Sequence, residues 1–284
     1  MYRCFNAVSG AWVLLCICIV CGGMSYQSER FAWPATLSEW SLFTGELQKQ
    51  VPSSLVIPYD VRNPLYSDYA FKQRFIALPA DSVLNVSDHH ELRLPEGTVL
   101  VKTFYYPADF RQPEVRHQLM ETRLLVLHGT QWRAASYAWN SAQTDADLVL
   151  AGAGRTVQWR DTNGKQQSLR YLIPNANQCT NCHAKRGAIQ PLGVTLRQLN
   201  HDGQLESMKE RGVIAGLPAT SSIATIADYR DARTGDLAAR ARAYLDANCG
   251  HCHAPDGSAN SSGLYLHLDQ QAPHGLGVLK PPVA

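Results

Sequence analysis

Between about residue 70 and residue 173 the chain is a series of short apolar and β-branched runs broken by turn formers. Phe71–Leu78, Thr98–Tyr106, Glu121–His128, Trp132–Trp139, Val157–Arg160 and Ser168–Ile173 read as strands. Asp81-Ser82, Pro95-Glu96-Gly97, His128-Gly129-Thr130 and Asp161-Thr162-Asn163-Gly164 separate them. The last of these predicts a tight hairpin joining Thr156–Arg160 to Lys165–Tyr171. Several strands at this spacing imply an antiparallel β-sandwich-like domain, placed over 24–173. Before them, Leu37, Trp40 and Phe43 are spaced to bury one face of a single helical turn or a short helix, and Pro52 and Pro58 favour extended chain or turns.

The pattern changes after Pro174. Residues 174–284 lose the strand signal and read as short helices and loops, a mainly α region. Gly203 to Gly212 predicts a modest helix carrying Leu205, Met208 and Lys209. Asp236 to Ala247 predicts a stronger one, capped by Thr234 or Asp236, with Leu237, Ala241, Tyr244, Leu245 and Asn248 on one face.

At 284 residues, 45% hydrophobic and 18% charged, the chain has the composition of a folded body. A formal charge of +2 argues against a nucleic-acid partner. The start is different in kind. Arg3 precedes an apolar run from Ala11 to Cys21, too short for the about 20 residues that span a bilayer. Residues 1–23 therefore read as a secretory signal, with a lipid anchor at Cys21 as a variant and a periplasmic or cell-envelope destination. A buried N-terminal element is the plain alternative. No later segment reads as a transmembrane span.

Cysteine placement then supplies the chemistry. Of eight cysteines, Cys4, Cys16, Cys18 and Cys21 lie in the leader; the others form two pentads, Cys179-Thr180-Asn181-Cys182-His183 and Cys249-Gly250-His251-Cys252-His253. Cys-x-x-Cys-His is the spelling of a c-type haem attachment site. Cys179, Cys182, Cys249 and Cys252 would bond two porphyrins, and His183 and His253 would reach the irons as proximal ligands. Two covalently bound haem c groups are the expected cofactors, in a mainly α, cytochrome c-like dihaem region over 174–284. The first pentad is expected after a strand and a turn, the second at a helix end. Competing readings are a zinc site built from the four thiols and two histidines, and a dithiol redox centre.

Candidates for the distal iron ligands are Met208, His201, Met120, His267 and His274; His117, His128 and the His89-His90 pair could also reach over from the strand region. Met208 reads more simply as helix packing, and an open sixth position is an alternative. Asp68, His89, His117, Glu121 and His128 are the titratable groups open to an acid–base role, each more simply structural or solvated. The tyrosine-rich segment Tyr59–Tyr69 reads as aromatic packing with a polar edge rather than as a redox relay.

Several blocks support a family comparison: Tyr59-Asp60 and Ser67–Ala70, Gly97–Tyr106, Glu121–Val126, Trp139-Asn140, Pro174–Cys179, and Arg242–Asp246 leading to Cys249. Together they resemble a family of exported bacterial dihaem c-type cytochromes of otherwise uncharacterised role, over nearly the whole mature chain. The resemblance implies dihaem c-type identity; the two pentads themselves imply one-electron transfer with a redox partner protein, the strand domain acting as a docking or positioning body. The resemblance supplies no substrate. Members of that family continue past the Lys280–Ala284 block into a methionine-rich stretch that looks like the source of a distal methionine. By that comparison the expectation is either a C-terminally truncated chain, the favoured reading, with its second haem exposed or misligated, or a second haem that departs from the family pattern. A haem-dependent, peroxidase-like oxidoreductase with one open coordination site is the enzymatic alternative, and a zinc-stabilised binding module the non-haem one.

Overall fold

Strands form where apolar and polar positions alternate, and a single meander gathers most of them. The structure, a computed structural model, describes residues 31–282 except 88 and 90. The leader, Cys21, Asp88 and His90 lie outside the described residues. Strands β1 (Val56–Pro58), β2 (Phe71–Ala77), β3 (Val99–Pro107), β4 (His117–His128), β5 (Gln131–Trp139) and β6 (Ala146–Val149) form a six-stranded antiparallel sheet whose spatial order follows the chain.

Register determines what each face carries. Arg74 lies opposite Lys102, and Lys102 opposite Arg123. Because side chains alternate faces with a period of two, Lys72, Arg74 and Ile76 share one face with Leu100, Lys102 and Phe104, and with Glu121, Arg123 and Leu125. The pairing jumps from Phe104–Glu121 to Tyr105–Leu119, so Met120 is the extra residue of a bulge.

Two apolar clusters cover the two ends of that face. At one end Ile57, Ile76, Leu78 and Leu100 pack with Val194, Leu196, Leu199, Leu205, Met208 and Ile214 from the C-terminal half. At the other, Phe104, Tyr106, Met120 and Ala138 pack with Val157, Trp159, Tyr171 and Ile173. The latter four come from the hairpin of β7 (Ala153–Arg160) and β8 (Gln166–Ile173), whose turn was read correctly from the sequence. Asp161 Oδ1 accepts from the N–H groups of Asn163 and Lys165, and Gly164 supplies φ +79°.

The expected β-sandwich-like domain followed by a mainly α region is overturned. The fold is mostly β, 31% strand and 19% helix, with several antiparallel sheets. Among the described residues the α-helices are α1 (Ala176–His183), α2 (Leu196–Leu199), α3 (Gln204–Glu210) and α4 (Leu237–Leu245). None is long enough to bury a continuous apolar stripe against another helix, and the C-terminal half instead sends single apolar side chains onto the sheet. It also adds strand: Ala184–Lys185 pairs with Ala188–Ile189, and Ile214–Ala215 runs parallel to Leu84-Asn85. Residues Trp33–Ala284 cluster as one compact unit. Of the expected single helical turn or short helix the structure forms the turn, a 3-10 turn over Ser38–Trp40, with fully buried Leu37 just before it.

Gly152, at the entry to β7, is locked by its surroundings. Its φ is +80°, and a Cβ there would sit 2.9 Å from the Ile173 carbonyl oxygen and 3.1 Å from Asn175 N. Gly152→Ala is expected to cost about 1–3 kcal/mol, the range for a non-glycine residue forced into such backbone. Urea denaturation would register this as a lower midpoint with an unchanged slope.

Candidate functional site

The first pentad is the end of a helix, where the sequence suggested only a strand and a turn. Strand β8 stops at Ile173, Pro174 cannot continue it, and Asn175 caps α1. Asn175 Oδ1 accepts from Gln178 N at 2.9 Å while Gln178 Oε1 accepts from Asn175 N at 2.9 Å. This capping box was present in the sequence as Asn-x-x-Gln and was the missed signal. Residues three and four apart share a helix face, so Cys179, Cys182 and His183 all line one cavity. A turn through Arg186 and Gly187, both with positive φ, returns the chain so that His183 Nδ1 lies 2.8 Å from the Gln190 carbonyl oxygen.

The second pentad follows α4. Asp236 is the cap, its Oδ1 accepting from Ala239 N at 2.7 Å, as one of the two expected residues. The expected apolar face is not the buried one: Ala243 is fully buried, while Leu237 and Tyr244 are exposed. The helix widens into a π-type turn over Asp246–Gly250, and Cys252 N and His253 N both donate to the Cys249 carbonyl oxygen. His253 Nδ1 lies 3.3 Å from the Leu264 carbonyl oxygen and 3.4 Å from Ser262 Oγ. Gly257 packs directly on the pentad; a Cβ would stand 2.3 Å from the Cys252 carbonyl oxygen.

The tertiary structure brings the pentads together. Cys252 Sγ lies 3.8 Å from the Asn181 carbonyl oxygen, which also accepts from Ser258 Oγ at 3.4 Å. His251, inside the second pentad, lines the same cavity as the first. Cys179, Cys182, Cys249 and Cys252 form no disulfide. Among the described residues no three His, Cys, Asp or Glu side chains converge as a metal ion would require.

The cavity, about 470 Å³, lies between α1 and the middle of the sheet face described above. That volume is within the range of small-molecule and cofactor sites. Its walls are largely apolar, with Leu65, Leu100, Phe104, Leu125, Leu172 and Val194 among them. Four cations interrupt them: Lys72, Arg74, Lys102 and Arg123. Arg74 Nη1 meets Asp60 Oδ1 at 2.5 Å. Arg123 grips Glu121 with two bonds, 2.6 and 2.9 Å, and Tyr171 donates its hydroxyl to the same carboxylate at 2.5 Å.

Burial sets the protonation of the site. It pushes the His183 imidazole down to about 4, with Lys102, Arg123 and His251 acting in the same direction against the Gln190 carbonyl contact. At neutral pH the ring is uncharged, and a neutral ring whose Nδ1–H faces a carbonyl offers its Nε2 lone pair as a ligand. Burial also raises the Cys179 and Cys182 thiols. Lys102 is pushed down to about 7 by burial, then by Arg74, Arg123 and Lys72; Lys72 is pushed to about 8 by burial, then by Arg74 and Arg123. Burial opposes the Arg123 charge, but Glu121 outweighs it and the guanidinium stays charged.

None of the five distal-ligand candidates lines the cavity. Met208 and Met120 are buried in the two apolar clusters. His201 places Nδ1 2.9 Å from Asp202 Oδ2 and Nε2 3.3 Å from the Asp60 carbonyl oxygen. The His267 backbone backs onto Gly250, and the His274 carbonyl accepts from Gly277 N. Of the acid–base candidates, Glu121 supports Arg123 from beneath the cavity and Asp68 sits in a left-handed turn whose carbonyl accepts from the Tyr106 hydroxyl. His117 stacks near Tyr105, and His89 and His128 do not line the cavity. The cation row is what sequence reading missed. Comparisons with family models, with curated proteins and with solved structures find no match.

Glu121 is fully buried, so removing its charge strands the Arg123 guanidinium. Glu121→Gln is expected to lower unfolding stability by about 3–5 kcal/mol, and Tyr171→Phe by about 1.5–3 kcal/mol, the range for a hydrogen bond to a charged group. Urea denaturation at pH 7 measures both. A loss below about 1 kcal/mol for the first variant would mean that cavity water solvates Arg123.

Proposed function

We propose that the chain is an exported dihaem c-type cytochrome that transfers single electrons to and from a redox partner. The observation that carries this reading is the pairing of the two pentads, each with its histidine Nδ1 against a backbone carbonyl, beside a largely apolar cavity. Cys179 and Cys182 would hold one haem and Cys249 and Cys252 the other, with His183 and His253 as the proximal ligands. When bound, each haem supplies a one-electron ferric/ferrous couple whose potential answers to axial ligand, burial and hydrogen bonding. The protein's own contribution is orientation and exclusion of water. Gln190 and Leu264 hold the imidazoles, α1 presents both thiols on one side, and the sheet walls off the cavity. Export to the periplasm or envelope, with a signal over 1–23 and the variant anchor at Cys21, belongs to this reading. Among the described residues no helix is long and apolar enough to cross a membrane.

A second reading, a haem-dependent oxidoreductase with an open sixth position, is favoured by one observation: among the described residues no distal-ligand candidate lines the cavity. Cyanide or carbon monoxide binding at the first haem would select it over a plain carrier. The zinc-stabilised module has less support, because a closed zinc site needs four converging donors and none of that kind is found among the described residues.

Expression with the signal and a c-type maturation system should yield two haems per chain by intact mass and alkaline pyridine haemochrome. No bound haem under those conditions overturns the reading. Cys249→Ser with Cys252→Ser should leave one. Gly257→Ala should also bring the ratio from two towards one, because any side chain there displaces the Cys252 backbone; the first pentad should keep its haem.

A further inference from the structure

We propose that Lys72 and Lys102 form a dicarboxylate site that receives the two propionates of the haem held at Cys179 and Cys182; this rests on the dihaem reading above. The geometry makes the case. Arg74, Lys102 and Arg123 stand directly opposite one another on three adjacent strands, and like charges so placed destabilise a sheet. Each arginine has its own carboxylate, Asp60 or Glu121. The two ammonium groups do not: among the described residues no carboxylate pairs with either. Lys72 Nζ donates only to the Leu65 and Ala70 carbonyls, at 2.8 and 3.2 Å.

The cations also converge. Lys72 Nζ and Lys102 Nζ each lie 5.9 Å from the centroid of the Phe104 ring, and the Arg123 guanidinium carbon 4.4 Å. A cation–π contact offsets part of the cost of burying them, but a ring carries no countercharge. Asp246, among the described residues the one carboxylate lining the cavity, accepts from Leu268 N at 2.7 Å instead. The cavity thus asks for a ligand with an apolar body and two anionic groups, set beside the thiols and histidine of the first pentad. A haem carries two carboxylates on an apolar ring. The lowered lysine pKa values agree with an unneutralised site: burial, then Arg74 and Arg123, push Lys72 down to about 8 and Lys102 to about 7.

The test uses the full chain, haem-loaded, with K72M, K102M, the double variant and the charge-preserving K72R/K102R pair. Haem per chain is read first; a wild type without haem overturns the dihaem reading, and the propionate site with it. With two haems in place, the double methionine variant should shift the propionate-bending bands in resonance Raman. It should lower the reduction potential of the first haem only, because removing nearby positive charge favours the ferric form. Cys249→Ser with Cys252→Ser, carrying one haem, assigns that signal. The arginine pair should return both readouts towards wild type. Unmoved bands and potential in the double variant would overturn the propionate site while leaving the dihaem reading intact. Wild-type protein decides the matter independently of how the variants fold. Titration with sulfate should leave its Soret band unchanged; a saturable change would show that the lysines are open to a free oxyanion and would overturn the propionate assignment.

Discussion

The cross-strand register at Arg74, Lys102 and Arg123 is the constraint on which the rest of the structure turns. Three cations at neighbouring positions inside a fold are unfavourable, and apolar residues there would pack at lower cost. The chain builds around them. Glu121 is buried to hold Arg123, Tyr171 is drawn in to hold Glu121, and the β7–β8 hairpin is thereby fastened to the sheet face. At the other end of that face the cations give way to Ile76 and Leu100, and the C-terminal half closes over these. The cavity is the space between the two closures, at the height of the charged row.

The same architecture explains how two sequence-distant pentads meet. Each is anchored on its own side by local devices: a capping box and a returning turn for the first, a capped helix and a glycine-only packing contact for the second. Neither device specifies the other. Their apposition through Asn181, Cys252 and Ser258 is a tertiary contact between segments distant in the chain. On the proposed dihaem reading such closeness would serve electron exchange between the two centres, and His251 places the second pentad on the wall of the cavity beside the first.

Much of this was legible along the chain, and the failures have definite causes. The pentads, the Asp161–Gly164 hairpin, the Asp236 cap and most strand positions are local patterns of spacing, so they were readable without a fold. The mainly α C-terminal region was misjudged because loss of strand signal is not evidence of helix. Residues 184–189 and 214–215 form short strands from unremarkable sequence, since their partners lie close by or across the molecule. The apolar stripe assigned to α4 failed because its packing is decided by what it meets, and it meets its neighbours through Ala243. Met208, read more simply as helix packing, is buried in one apolar cluster, and Met120 is buried in the other.

The sequence by itself therefore determined the two Cys-x-x-Cys-His units, their chemistry as paired thiols with an adjacent imidazole, and the period-two strands of the sheet. Only the tertiary structure decided that those units touch, that a cavity opens between one of them and the sheet, and that four cations face into it. The physical reason is range. Periodicity, capping and turn chemistry act over a few residues, whereas register joins positions 74, 102 and 123, and shifting it by one residue would turn every one of those charges to the opposite face.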